Sequence, residues 1–390
     1  MAKKPEFSLL FIERTSLIAP DEWNKCAGND NPFLSHAFFM ALETSGSTTK
    51  ENGWLTRHAV IKNAAGKIAA IMPAFIKTHS LGEYVFDHNW ANAYEAAGGH
   101  YYPKYLSAIP FTPVGARKFL IDQSLIDAEK QAVIEMILEA PKALTRELGL
   151  SSFSANFIKK DEAELLANHG YLTRIDTQYH WQNNDYKTFD DFLATLTSRK
   201  RKTIKRERHD ALNNGEHKLI IDIVTGDQIN EKHWDCFYEF YISTSTHKWG
   251  RPYLTRQFFA EIGKTMAEKI VLIFAVREGN IIAGALNFIG KDTLFGRNWG
   301  ASEHHPFLHF EVCYYQAIDF AIKNGLKTVE AGAQGEHKIA RGYLPQKTYS
   351  AHWFQNQVFH DAVARYLEDE RNAIESYIKN AGEFMPYKKT

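Results

Sequence analysis

The sequence predicts an α+β protein built from two similarly ordered halves, and three observations carry that reading. The segments GYLTRIDTQYHW (170–181) and GYLPQKTYSAHW (342–353) share Gly-Tyr-Leu at the start and His-Trp at the end, with the same spacing between. Upstream, ELGLSSFSANF around Gly149 and KNGLKTVEAGA around Gly325 both read as a helix stopped by glycine and followed by a short strand. Glycine is the expected stop because it takes the left-handed conformation without a Cβ penalty. Further upstream still, AVIKNAAGKIAAIMPAF and IFAVREGNIIAGALNF are apolar runs broken by a glycine-containing turn, the pattern of a hairpin. Three matched elements in one order divide the chain into residues 1–183 and 184–390.

Each half then reads as hairpin, further strand, helix of about four turns, strand, charged segment and closing strand. The helices are expected at Asp127 to Leu148, with Pro141 a place for a kink, and at Phe310 to Asn324. In the second helix Cys313, Ala317, Phe320, Ala321 and Asn324 recur at helical spacing, which assigns that face to the core. Mainly antiparallel strands with helices packed against them make an α+β layer.

Between the repeats, residues 187–214 read KTFDDFLATLTSRKRKTIKRERHDALNN and have no counterpart in the first half. Phe189, Phe192 or Leu193, Leu196, Ile204 and Ala211 mark a broken apolar stripe, so one or two helices are expected, with Thr197 or Ser198 as a cap between them. Onto this segment are crowded Arg199, Lys200, Arg201, Lys202, Lys205, Arg206 and Arg208. Two readings stand: a solvated face relieved by Glu207 and Asp210, or an arm that binds a phosphate-rich or nucleic-acid ligand through Arg199, Arg201, Lys202, Lys205 and Arg206.

The 390 residues are 44% hydrophobic and 13% aromatic, enough to fill two cores. Lys+Arg and Asp+Glu balance at 46 each, so no protein-wide positive field holds nucleic acid or an anionic membrane, and an anionic partner must meet a local patch. Cys26, Cys236 and Cys313 are far apart, odd in number and without a CxxC pair, against a disulfide framework or a thiolate zinc site. The early apolar run FSLLFI is too short for a signal-peptide core, and no uncharged stretch reaches the ~20 residues of a membrane span. The expectation is a soluble, cytoplasmic protein with no integral membrane contact.

A hairpin whose second strand follows EGNIIAGALNF, then LFGRNWGAS, a helix ending in KNGL, a strand and a closing GY segment resembles the acyltransferase fold of the GNAT superfamily. Two such halves in one chain, joined by a basic arm, resemble the Fem-type peptidoglycan aminoacyltransferases. WANAYEAAGGHYYPKYLSAIPFTPVGAR, LFGRNWG, LHFEVCYYQ and GAQGEHKIARGYLP are similar, more narrowly, to the Fem-like family of tandem acyltransferase domains called DUF482, over nearly the whole chain after about Glu22. The resemblance implies two GNAT-like domains, 1–183 and 184–390, the second including the basic segment 187–214. It also implies transfer of an acyl or aminoacyl group to an amine, no permanently bound cofactor, and acyl-CoA or aminoacyl-tRNA as co-substrate. A small molecule or a peptidoglycan precursor would be the acceptor, and tRNA a candidate partner. Two departures stand out. The glycine-rich pyrophosphate loop of acetyl-CoA enzymes, [RQ]-x-x-G-x-[GA], has no match in ASEHHPFLHFE or FLIDQSLIDAEK, and the Phe-Lys-x-Gly-Phe of many Fem-type chains is replaced by Ile339-Ala340-Arg341-Gly342-Tyr343.

Acyl transfer to an amine needs a proton acceptor, donors for the oxyanion and groups that hold an anionic donor. Glu336, His337, Lys338 and Arg341 supply these kinds within six residues: Glu336 or His337 as base, Lys338 and Arg341 on phosphate or carboxylate. The small residues Gly332, Ala333 and Gly335 before them let a ligand approach the backbone. The first-half copy, KKDEAELLANHG with Asp161, Glu162, Glu164 and His169, is an ordinary helix pattern, which confines the chemistry to the second half. Arg297, Asn298 and Trp299 on a strand, and His309 and Glu311 entering the main helix, are further substrate-binding candidates. His304, His305, His309 and Glu311 match no familiar metal spacing, so no metal site is expected. Trp90, Tyr94, His100, Tyr101 and Tyr102 form an aromatic cluster that reads as core or cleft wall. The alternative to an N-acyltransferase is a non-catalytic anion-, RNA- or protein-binding module that retains the fold.

Overall fold

The structure, a computed structural model, describes residues 6–213, 218–249, 252–332 and 335–388, so Ala333 of the small-residue run and the last residue of the basic segment lie outside the described residues. The chain packs as two compact units: Met1–Asn29, Phe33–Asp176 and Lys347–Ser376 form the first, and Asp30–Pro32, Thr177–Gln346 and Tyr377–Thr390 the second. The sequence repeat suggests a division after residue 183. Packing instead divides the chain near Asp176 and returns the segment Lys347–Ser376 to the first unit.

The strands, in chain order, begin with β1 (Phe7–Ile12), β2 (Trp54–Thr56), β3 (His58–Asn63), β4 (Ile68–Met72) and β5 (Phe75–Lys77). Then come β6 (Lys104–Ser107), β7 (Leu120–Ile121), β8 (Ser152–Ile158), β9 (Leu172–Gln182) and β10 (Ile220–Thr225). The last five are β11 (Ile270–Arg277), β12 (Asn280–Ile289), β13 (Thr293–Ala301), β14 (Thr328–Glu330) and β15 (Leu344–Phe354).

In the second unit β10, β11, β12 and β13 are successively antiparallel, β13 pairs parallel with β14, and β14 pairs antiparallel with the end of β9. The first unit repeats this order at its centre: β5 is antiparallel to β6, β6 parallel to β8, and β8 antiparallel to the end of β15. A separate antiparallel sheet of β1, β3, β4 and β7 completes it. The expected α+β class with mixed sheets flanked by helices is what the chain adopts.

The His-Trp pairs that mark the repeat occupy equivalent places. In the second unit His180 and Trp181 pair with Glu330 and Val329; in the first, His352 and Trp353 pair with Ser154 and Phe153. Each unit is therefore closed by a strand contributed from the other half of the sequence. Gly149 and Gly325, which stop the preceding helices, both have positive φ, 63° and 67°.

The first hairpin differs from the second for a local reason. β12 runs unbroken through GALNF, whereas its counterpart IAAIMPAFIK is divided at Pro73 into β4 and β5, which join different sheets. Proline has no N–H to give the ladder, so the strand breaks there.

The main helix of the first unit, Asp127–Glu147, buries Val133, Ile137, Leu138, Ala140, Pro141 and Leu144. Trp90 and Tyr101 of the aromatic cluster pack with Phe354, Val363 and Leu367 and are core. Lys104, fully buried, holds the loop before that cluster through Glu83 at 2.8 Å, Ser80 at 2.9 Å and Asp87. Glu162 of the first-half helix Lys160–Ala167 accepts the backbone N–H groups of Lys118 and Phe119.

These buried groups set an acid profile for the first unit. His58 and His352 are neutral, pushed down to about 3 by burial. The unfolded chain protonates them near 6.5 and the folded protein does not, so stability is lost as pH falls from about 6.5 toward 3. Burial raises Glu83 to about 7 and Glu162 in the same direction. The folded unit thus binds protons there that the unfolded chain does not, and stability rises as pH falls from about 7 to about 4.5. The two trends oppose each other between about 4.5 and 6.5; below that window the histidine loss continues, joined by that of Asp87, whose carboxyl, against the cost of burial, Lys104 holds at about 2. Urea titrations at stepped pH are expected to show a plateau and then a steep fall below about pH 4.5. Stability that kept climbing to pH 4 would contradict neutral buried imidazoles.

Candidate active site

The strand register of the second unit sets part of β13 apart from its neighbours. β12 and β13 pair with a shift that sets Leu286 and Asn287 against Asn298 and Gly296, leaving Arg297 as the extra residue of a bulge. Bulges re-aim side chains and recur beside active sites. β13 then pairs with β14 only from Thr293 to Phe295, while it continues to Ala301. Arg297, Asn298 and Trp299 all lie beyond that paired stretch, each half-buried.

β13 leads into a helical segment composed of Leu308–Phe310, a π-helical turn Glu311–Tyr315, and Gln316–Lys323. The π turn adds a residue to the helix, and such turns concentrate at functional sites. The face expected in the core is largely there. Cys313 and Phe320 are half-buried and Asn324 is exposed, while Val312, Tyr314, Tyr315, Ile318 and Ile322 join Ala317 and Ala321 inside. Cys313 and Phe320 pack against the core from partly buried positions, and Asn324 is the residue that ends the helix.

After β14 the segment Glu336–Arg341 forms a 3₁₀ turn between Gly335 (φ 119°) and Gly342 (φ 92°). Both positions require glycine. A Cβ at 335 would lie 2.6 Å from Cε1 of His337, and one at 342 would lie 2.7 Å from the Phe192 ring.

Within this turn the four predicted residues diverge. His337 is exposed and its Nε2 lies 2.9 Å from the Tyr314 hydroxyl. Partial burial, then the charges of Arg341 and Lys338, lower its pKa below that of an ordinary imidazole, so it is neutral at pH 7. Burial raises the Tyr314 hydroxyl, which keeps its proton. Arg341 is buried, its guanidinium 3.4 Å from the centre of the Phe310 ring. One Nη donates to Glu207 at 2.9 Å and the other to the His337 carbonyl at 2.8 Å. Its Nε, also buried, has no hydrogen-bond partner among the described residues. Lys338 is buried and its Nζ donates to the Gly332 carbonyl at 3.1 Å. Glu336 is exposed, with its carboxylate beside the Tyr377 hydroxyl.

Trp299 and His309 complete the wall. The His309 ring lies 5.1 Å from Trp299, 5.2 Å from Tyr314 and 6.4 Å from His337. Trp299, His309, Phe310, Tyr314 and His337 therefore form one run of rings ending at the Arg341 guanidinium. Glu311 is directed elsewhere: fully buried, it accepts from Arg208 at 3.0 Å and from Gln316 at 2.6 Å. Among the described residues there is no group of three metal-ligating side chains.

The basic segment folds as Phe189–Thr195, capped by Thr188, and Ser198–Asn213. The second helix buries Ile204, Glu207 and Ala211 and leaves Arg199, Lys202, Lys205 and Arg206 exposed, with Arg201 half-buried. Lys205 meets Asp190 at 3.0 Å; no other described carboxylate is paired with these five cations. Sequence reasoning missed Tyr314 and the inward role of Glu207. The spacing Ile204, Glu207, Arg208, Ala211 was the available signal, because i, i+3, i+4 and i+7 share one helix face.

The profile of the FemAB-like family, described as peptidoglycan biosynthesis/recognition, matches residues 14–389. The chain belongs to the FemAB-like family. As a FemAB-like protein it is by class an acyl- or aminoacyltransferase. Its tandem fold is similar to the crystal structure of FemX, with a TM-score of 0.52 at 11% identity, covering 92% of this chain and 100% of that one. It is also similar to L-PGS from Bacillus licheniformis, with a TM-score of 0.50 at 9% identity, covering 87% and 98%. Comparison with curated proteins gave no match. No helix among the described residues is long and apolar enough to cross a membrane.

Proposed function

We propose that this FemAB-like chain is a cytoplasmic N-acyltransferase that moves an acyl or aminoacyl group onto an amine of a peptidoglycan precursor, with His337 as the general base. One observation carries the reading: a neutral, exposed imidazole hydrogen-bonded to Tyr314 stands beside Arg341, whose buried Nε–H has no protein partner among the described residues. With Nε2–H donating to the Tyr314 oxygen, Nδ1 is left to take the acceptor's proton. The amine nitrogen attacks the acyl carbon, the new N–C bond forms, and the ester or thioester bond to the donor breaks. The Arg341 guanidinium, tied to the His337 carbonyl, supplies positive charge beside the carbonyl oxygen as negative charge develops on it. Gly332, the Arg297 bulge and the ring wall from Trp299 to Tyr314 would border the donor and acceptor. Cys26, Cys236 and Cys313 are not joined in disulfides, in keeping with a reducing compartment.

The exposed cations of the Ser198–Asn213 helix would take the phosphates of the co-substrate, which favours aminoacyl-tRNA over acyl-CoA. The purified protein, supplied with an amine acceptor and either acyl-CoA or charged tRNA, tests the reaction by the appearance of the acylated product. Binding without transfer to any amine would instead identify a non-catalytic module. Replacing Arg199, Arg201 and Arg206 together by glutamine is expected to weaken tRNA binding strongly at low salt and little at high salt, since each lost phosphate contact removes about 0.9 from the slope of log K against log salt. Equal affinity at low salt would return the arm to a solvated face.

A further inference from the structure

The Ser198–Asn213 helix has a second role on its inner face, which carries two buried ion pairs rather than apolar packing alone. Glu207, 6% exposed, accepts from Arg341 Nη2 at 2.9 Å through one carboxylate oxygen and from the Tyr315 hydroxyl through the other. Tyr315 lies in the π-helical turn and Arg341 closes the 3₁₀ turn, so one carboxylate joins the two elements that flank His337. Arg341 in turn donates to the His337 carbonyl at 2.8 Å. Its guanidinium lies over Phe310, and Nε has no protein partner among the described residues.

We propose that Glu207 is a positioning residue: it fixes and neutralises Arg341, and through Arg341 it holds the turn that presents His337. The inference rests on the reading of His337 as base, and it links the outer, cation-bearing face of the helix to the site on its inner face. A phosphate-rich co-substrate gripping Arg199, Lys202 and Arg206 would thereby rest on the same helix that orders the catalytic turn. A carboxylate is required because the two contacts need both oxygens, and a buried guanidinium needs a counter-charge.

The test reads the His337 imidazole directly, by NMR titration of the full-length protein. The titratable or charged groups facing that ring are Tyr314, His309, Arg341 and Lys338, and only Arg341 is paired with Glu207. Glu207→Gln keeps the shape and removes the charge, leaving the Arg341 cation uncompensated. The His337 titration should move to lower pH by about half a unit or more. Glu207→Asp, which retains the charge, should bring it back toward the unaltered value. Arg208→Gln breaks the neighbouring buried pair with Glu311 on the same helix and serves as the structural control, with the His337 titration unmoved. A folded Glu207→Gln protein in which His337 titrates as before, or an equal shift in Arg208→Gln, would overturn the proposal. If Glu207→Gln shifts the titration while the acid limb of kcat/KM for acyl transfer stays where it was, Glu207 positions His337 as stated and the reading of His337 as base is what fails.

Discussion

Fragments 1–183 and 184–390, expressed separately, are expected to be unfolded or aggregated, although the division between them is the natural one in the sequence repeat. The first fragment would lack the end of β15, which pairs with β8 from Tyr349 to Phe354. It would also lack the part of the C-terminal helix that supplies Val363 and Leu367 to the core and Glu370 to Arg174, held at 2.7 Å and 2.8 Å. The second would lack the end of β9, leaving β14 without its antiparallel partner and the core without Trp181, fully buried in the intact chain. Removing one such tryptophan side chain costs about 3–5 kcal/mol, and the loss of a whole strand adds unpaired backbone groups. Set against a domain stability of about 5–15 kcal/mol, neither fragment has the margin. Co-expression should restore a soluble complex, because each fragment holds the strand the other needs. Size-exclusion chromatography and circular dichroism decide the matter. A monomeric, cooperatively unfolding 1–183 fragment would show that the exchanged strands are dispensable.

What the sequence disclosed and what it hid separate by range. The hairpins, the glycines that end the helices and the His-Trp repeat were legible because each is set by neighbours within a few residues. The exchange of strands was not, because Trp181 finds Val329 and Trp353 finds Phe153 across long stretches of chain, and nothing local names a strand's partner. Pro73 did carry a local warning that the first hairpin would break, and the match to the second hairpin obscured it. The π turn was illegible for another reason: EVCYY satisfies an ordinary helical pattern, and nothing in those five residues marks an added one. Of the predicted site, Trp299, His309, His337 and Arg341 come together, whereas Lys338 and Glu311 are committed to internal partners. Charged residues in a suggestive cluster say little about which of them face outward, since a buried ion pair and an exposed ligand-binding pair use the same side chains.

Replacing His337 by glutamine is expected to lower turnover about 10²- to 10⁴-fold while leaving donor affinity nearly unchanged, because a general base acts on the transition state and not on the bound ground state. Glutamine keeps a polar group near Tyr314 and removes the basic nitrogen, so the variant isolates proton transfer from packing. The companion Glu336→Gln should have a much smaller effect: Glu336 is exposed and lies by Tyr377 rather than in the ring wall. The pH profile adds an independent check. Since partial burial and the Arg341 and Lys338 charges lower the His337 pKa, the base form is populated throughout the neutral range. The acid limb of kcat/KM should then fall at a pH below the ordinary imidazole value of about 6.5. Replacing Arg341 by lysine would remove the guanidinium and its bond to the His337 carbonyl together, so both the rate and the position of the acid limb should change. Should His337→Gln retain full turnover with an unaltered pH profile, the base must be sought elsewhere. The remaining candidate base would then be His309 at the start of the helix, with Arg297 at the strand bulge as a group that holds an anion.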